Sequence, residues 1–202
     1  MKKIILFVFG VCVFALGAYA QQSKWIGGGF SYSSTDDGGD KTTSSFGFSP
    51  EIGFVLNDKW AIGGGLYFGT ANDTPNTISE TNTSKFGIIP FARYYVAQTG
   101  KFTFFAQAEL PYQTNKVETK TTVGGGTVTT NVEYKSIGLN VSPGVSYDLN
   151  DRFALELKMP SILSYYSNSG DYKNSGFSFV LNDGMSIQRY LLNPEFKFVY
   201  KF

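Results

Sequence analysis

The stretch Leu191-Leu192-Asn193-Pro194-Glu195-Phe196-Lys197-Phe198-Val199-Tyr200-Lys201-Phe202 alternates in character residue by residue. Leu192, Pro194, Phe196, Phe198, Tyr200 and Phe202 share one parity, and Asn193, Glu195, Lys197 and Lys201 share the other. Successive strand side chains point to opposite faces, so the stretch predicts a β-strand with one aromatic and one charged face. In a water-soluble barrel or sandwich the apolar face would meet a core and the strand end would be blunted. Here the aromatic run continues to Phe202, which fits a closing strand whose apolar face meets lipid.

Working back from that strand, the same alternation recurs. Phe46, Phe48, Pro50, Ile52, Phe54 and Leu56 alternate with Ser45, Gly47, Ser49, Glu51, Gly53 and Val55. Strands are predicted at about 23–33, 44–56, from Trp60 to about Phe68, at 85–97, 104–112 and 136–149, and from Phe153 onward. Asn57-Asp58-Lys59, Gln98-Thr99-Gly100-Lys101 and Asn150-Asp151-Arg152 are tight turns. Residues 35–40, 71–83, 116–133 and 164–189 read as four longer loops at the opposite end. Of these, 116–133 resembles a protruding polar hairpin, and 164–189 carries enough apolar residues for a partly structured lid or extended strand. Eight antiparallel up-and-down strands joined alternately by short and long connections predict a transmembrane β-barrel. Pro50, Pro90, Pro143 and Pro194 fall inside strand patterns on the outward parity, which predicts bulges or strand ends there.

Lys2 and Lys3, the apolar run from Ile4 to Leu16, and Ala18-Tyr19-Ala20 have the three parts of a cleaved export signal over residues 1–20, leaving one barrel domain over 21–202. Cys12 lies in the apolar run, and no cysteine follows it. An exported chain without disulfides needs another source of stability, which a closed sheet in lipid provides. Lys and Arg number 17 against 16 Asp and Glu, without a basic block, so nothing points to nucleic acid.

These features resemble the small eight-stranded outer-membrane β-barrels of the OmpA/OmpX-like family. The residues that carry the resemblance are Ala18-Tyr19-Ala20, Phe91-Ala92-Arg93-Tyr94-Tyr95, the Asn57-Asp58-Lys59-Trp60 and Asn150-Asp151-Arg152-Phe153 turns, and Tyr200-Lys201-Phe202. The resemblance implies an outer membrane of a diderm bacterium and a barrel-assembly machinery that recognises Phe198, Tyr200 and Phe202. It implies no added peptidoglycan-binding domain.

The inward parity carries Glu51, Arg93, Glu109, Glu156, Lys158, Glu195 and Lys197, all about three to seven residues from the short-turn end. At one depth these opposite charges can pair across a lumen that side chains suffice to fill. The expected result is a plug, with a charged constriction or gate as the other reading. The chain has no histidine, which excludes Ser-His-Asp hydrolysis and His-ligated zinc. No spacing points to another mechanism, a metal site or a cofactor. The Gly27, Gly63 and Gly124 triplets do not open a phosphate loop, and Asp36, Asp37 and Asp40 read as a solvated acidic loop rather than a calcium site. Trp25, Trp60, Tyr112, Tyr147 and Tyr200 are expected in aromatic girdles, and the 116–133 hairpin could present an edge to a surface partner. The function expected is a non-enzymatic barrel with a structural or surface-interaction role. A small-solute channel, a hydrophobic-ligand transport barrel and a soluble lipocalin-like barrel are the alternatives, the last requiring aromatics inward and charges outward.

Overall fold

Alternating apolar and polar residues close into a ring here because each strand can give one face to lipid and the other to the lumen. The computed structural model describes residues 23–36, 42–76, 79–124, 126–179 and 194–202. Its strands are β1 (Lys24–Asp36), β2 (Thr42–Asn57), β3 (Trp60–Asn76), β4 (Ser79–Thr99), β5 (Phe102–Glu109), β6 (Tyr112–Val123), β7 (Gly126–Asp148), β8 (Phe153–Lys158), β9 (Leu163–Gly170), β10 (Asn174–Phe179) and β11 (Glu195–Lys201). They form eight staves of an antiparallel barrel, because β5 with β6, β8 with β9, and β10 with β11 each make one interrupted stave. The ring closes where β1 pairs with β11, from Trp25 opposite Lys201 to Gly29 opposite Lys197.

Proline explains the interruptions, since it brings no N–H to a ladder. Beside Pro90 the neighbouring stave breaks at Leu110-Pro111, in unchanged register. Beside Pro143 it bulges over Met159 to Ile162, whose two end amides still reach the carbonyls of Pro143 and Val141. Pro194 sits just before β11.

Two of the three tight turns are built alike. Asn57 Oδ1 accepts from the backbone amides of Lys59 and Trp60 at 2.9 and 3.0 Å, and Asn150 Oδ1 from those of Arg152 and Phe153 at 2.9 Å each. The third uses Gly100 at φ 56°, a left-handed geometry that glycine adopts without strain. Each turn delivers an aromatic residue to the next strand, and each pairs with an aromatic neighbour: Trp60 with Tyr94, Phe102 with Tyr147, Phe153 with Tyr200. This is an outward girdle at the short-turn rim. Trp25 departs from the expected girdle, because its parity is inward: it is buried, stacked 5.8 Å from Phe91 inside the barrel.

The outward face is apolar and exposed, with Phe30 76% and Phe196 67% accessible, whereas the inward Arg93, Glu109, Glu156 and Lys197 are buried. This is the reverse of what a lipocalin-like barrel requires. From Phe46 to Leu56 the outward apolar band spans about 25 Å along the barrel axis at ~3.3 Å per residue and a tilt of about 40°, matching an outer-membrane hydrocarbon layer.

Three of the four expected loops are largely strand where they are described, whereas residues 37–40 and 180–189 lie outside the described residues. Residues 71–76 and 79–83 are the paired upper ends of β3 and β4, with Ala71 opposite Thr83 and Asp73 opposite Thr81. The 116–133 segment is a hairpin in register from Lys116 opposite Glu133 to Val123 opposite Gly126, and residues 164–179 are largely β9 and β10. The backbone ladder continues above the apolar band while both faces become polar, so the hydrophobic alternation ends before the strand does.

Candidate functional site

Inside the short-turn half of the barrel the inward side chains form one connected network. Arg93 donates to Glu156 with both terminal nitrogens, Nη1 to Oε1 at 2.6 Å and Nη2 to Oε2 at 3.0 Å. Its Nη2 also lies 3.7 Å from Glu51 Oε1. Lys197 Nζ donates to Glu51 Oε2 at 2.6 Å and lies 3.8 Å from Glu195 Oε1. Lys158 Nζ bridges Glu195 Oε2 at 3.0 Å and Glu109 Oε1 at 2.5 Å. Gln107 then joins the ends, donating Nε2 to Glu109 at 2.7 Å and accepting from Arg93 Nε at 2.8 Å. Six of the seven sequence-selected charged residues thus form a ring in which the signs alternate, closed by the neutral Gln107, and the seventh, Glu156, is attached to it through Arg93.

Five strands supply the members: β2, β4, β5, β8 and β11. The ring can cross β1 because that strand presents Gly27 opposite Glu51 and Gly29 opposite Lys197. A Cβ on Gly29 would lie 3.1 Å from Glu195 Oε1 and 3.2 Å from Lys197 Cγ. Below the ring, the guanidinium of Arg93 is held between the faces of Trp25 and Phe105, 4.5 and 4.1 Å from their centroids. Those rings lie over glycines of neighbouring strands, Trp25 over Gly53 and Phe105 over Gly144. Ala61, Ala154 and Val199 are also buried on the inward side at this level.

Such a network is stable only as a set. Bulk solvent hardly reaches Arg93, Glu51, Glu109, Glu156 and Lys197, so a charge among them that loses its partner keeps its desolvation cost. The signal for Gln107 in the sequence is its position two residues before Glu109 on the same parity. Trp25 and Phe105 were likewise available from parity alone, since a large aromatic facing inward beside a glycine of the next strand has nowhere else to pack.

The rest of the sequence's candidates are more dispersed. Phe198 and Phe202 are exposed on the outward face of β11, and Tyr200 between them stacks on Phe153 and Phe202. In the hairpin, Lys116 Nζ and Glu133 Oε1 are 2.8 Å apart, and that hydrogen bond holds the Lys116 ammonium above its usual pKa. Residues 1–20, Asp37 and Asp40 lie outside the described residues. No cluster of three or more metal-ligating side chains occurs among the described residues.

A ring of eight staves with an apolar exterior has counterparts among known proteins. The family model for the outer membrane protein beta-barrel domain matches residues 5–182. The chain belongs to that family. As a member of the outer membrane protein beta-barrel domain family it resides in the outer membrane, which gives the exposed aromatic band its solvent. Among solved structures it is similar to the attachment invasion locus protein Ail of Yersinia pestis, at 12% identity and a TM-score of 0.50, covering 90% of this chain and 99% of that one. A major outer membrane protein from Thermus thermophilus aligns at 10% identity and a TM-score of 0.47, covering 89% and 99%. Neisserial surface protein A aligns at 15% identity and a TM-score of 0.42, covering 89% and 94%. At these identities the likeness is one of fold. No curated protein sequence matches the chain.

Proposed function

We propose that the protein is a non-enzymatic integral barrel with a structural and surface-interaction role, its lumen plugged by Glu51, Arg93, Glu109, Glu156, Lys158, Glu195 and Lys197. The observation that carries this reading is the ring itself: its members contact one another across the lumen at hydrogen-bonding distances and leave the aromatic layer of Trp25, Phe91 and Phe105 beneath them. Residues 1–20 serve as the export signal, and Phe198, Tyr200 and Phe202 as the signal read by the barrel-assembly machinery. The 116–133 hairpin offers a surface partner the β7 edge from Gly126 to Val132, which has no strand partner other than β6 among the described residues. No cofactor is required.

The plug is tested by refolding the chain into a planar bilayer, with insertion verified by a heat-dependent gel shift. Insertion without steady conductance is expected. A steady conductance that changes with Lys197→Ala would replace this reading with that of a small-solute channel.

The assembly role separates from intrinsic folding. Phe202→Ala is expected to refold in detergent to the same yield as the parent, because the side chain is exposed and contacts only Tyr200 among the aromatic pairs. In cells it is expected to lower the amount of barrel in the outer membrane several-fold. Equal cellular levels would remove the assembly role from this residue.

A further inference from the structure

Above the ring the lumen opens into a cup of about 610 Å³, a size typical of sites for small ligands. Its floor is Glu195, Lys158 and Glu109, and its polar walls include Ser31, Ser49 and Tyr67. Small inward residues make the space: Gly47, Gly65 and Ser45 line it where larger side chains would fill it.

Two features of the ring bear on what the cup would hold. Counting the attached Glu156, four carboxylates, Glu51, Glu109, Glu156 and Glu195, face three cations, Arg93, Lys158 and Lys197, leaving the network one positive charge short. One carboxylate oxygen, Glu51 Oε1, is also buried without a hydrogen-bond partner, on a side chain only 6% accessible that borders the cup. Glu195 is the most accessible of the four, at 28% against 4–9% for the others, and its Oε1 accepts from Ser49 at 2.7 Å.

The wall beside Glu195 has a further property. Among the described residues the β1–β11 ladder stops at Gly29 opposite Lys197, although Phe30, Ser31, Glu195 and Phe196 follow on the two strands. At that point the lipid-facing residues Phe30 and Phe196 also line the cup. Among the described residues, polar lumen and apolar exterior therefore meet here, next to the accessible carboxylate.

We propose that the cup binds an organic ammonium ion carrying an apolar body, with its head at Glu195 and its body toward Phe30 and Phe196. The ammonium supplies the charge the ring lacks and donates hydrogen bonds to Glu195 and to the hydroxyls of Ser49 and Tyr67. An anion would instead face three carboxylates, Glu51, Glu109 and Glu195, against two lysines, Lys158 and Lys197, that already pair with them. The binding leaves the plug in place, so it is distinct from conduction and stands whether or not the surface role does.

The test uses the ¹⁵N-labelled full chain refolded in neutral-detergent micelles, titrated with octylammonium, octanoate or methylammonium. Octylammonium is expected to give saturable amide shifts concentrated at Ser31, Ser49, Tyr67 and Gln113, and octanoate none there. Half-saturation by methylammonium is expected to need roughly tenfold more ligand, the loss of the body's contacts. Ser45→Phe fills the cup without removing a member of the ring and is expected to raise the octylammonium midpoint roughly tenfold, and Glu195→Gln to do the same. Should Glu195→Gln fail to refold, Ser45→Phe decides the matter alone. Shifts of equal size with octanoate, a methylammonium midpoint equal to that of octylammonium, or an unchanged midpoint in Ser45→Phe would each overturn the proposal.

Discussion

Arg93→Leu is expected to lower the stability of the barrel by about 3–5 kcal/mol, the range found when one partner of a buried ion pair is removed. Arg93 makes the doubly bonded contact to Glu156, donates to Gln107, lies near Glu51, and is enclosed by Trp25 and Phe105. Leucine keeps part of the packing but leaves Glu156 charged and without its cation in a site that is 4% accessible. The double variant Arg93→Leu with Glu156→Leu is expected to recover most of the loss, since no isolated charge remains at that position. Reversible urea unfolding in lipid vesicles measures all four proteins: the parent, Arg93→Leu, Glu156→Leu and the double variant. If the two single effects simply add in the double variant, the coupling between Arg93 and Glu156 is absent.

A pair of adjacent glycines gives the other large effect. A Cβ on Gly63 would lie 2.2 Å from the carbonyl oxygen of Ile52 and 2.4 Å from Cζ of Phe91, whereas one on Gly64 would meet nothing within 4 Å. The first obstacle is backbone and the second is part of the packed layer beneath the ring, so neither can yield without shifting the β2–β3 ladder or the aromatic stack. Gly63→Ala is therefore expected to cost at least about 3 kcal/mol, the upper end of overpacking, or to prevent refolding. Gly64→Ala is expected to stay within about 0.5 kcal/mol of the parent. The urea midpoint and the heat-dependent gel shift report both, and similar behaviour of the two variants would contradict the inward and outward assignment of β3.

The architecture was legible wherever one face of a strand meets lipid, because only there does composition alternate with the backbone. Phe46 to Leu56 and Pro194 to Phe202 are such stretches. Above the band, Asn72, Asp73, Asn82 and Thr83 face water on both sides, so the paired ends of β3 and β4 carry turn-like composition and read as a loop. Parity likewise gathered the seven charged residues onto the inner face, but the order in which they contact one another depends on reach and on the bare glycines of β1. The link through Gln107 was illegible for a related reason: a neutral amide has no sign by which to choose its partners. Trp25 was misread because its closeness to a strand end suggested an interface, although its parity already turned it inward.

The bond between Lys197 and Glu51 joins residues 146 positions apart, and the bond between Ser49 and Glu195 spans the same separation. Neither can form until the last stave has docked against the first, so an incompletely closed sheet leaves Glu51 and Lys197 without each other, each needing water. Water must therefore remain in the lumen until closure and leave when the ring forms. Folding of this chain should consequently show a late, cooperative drying step, with the two ends of the sequence becoming protected together rather than strand by strand.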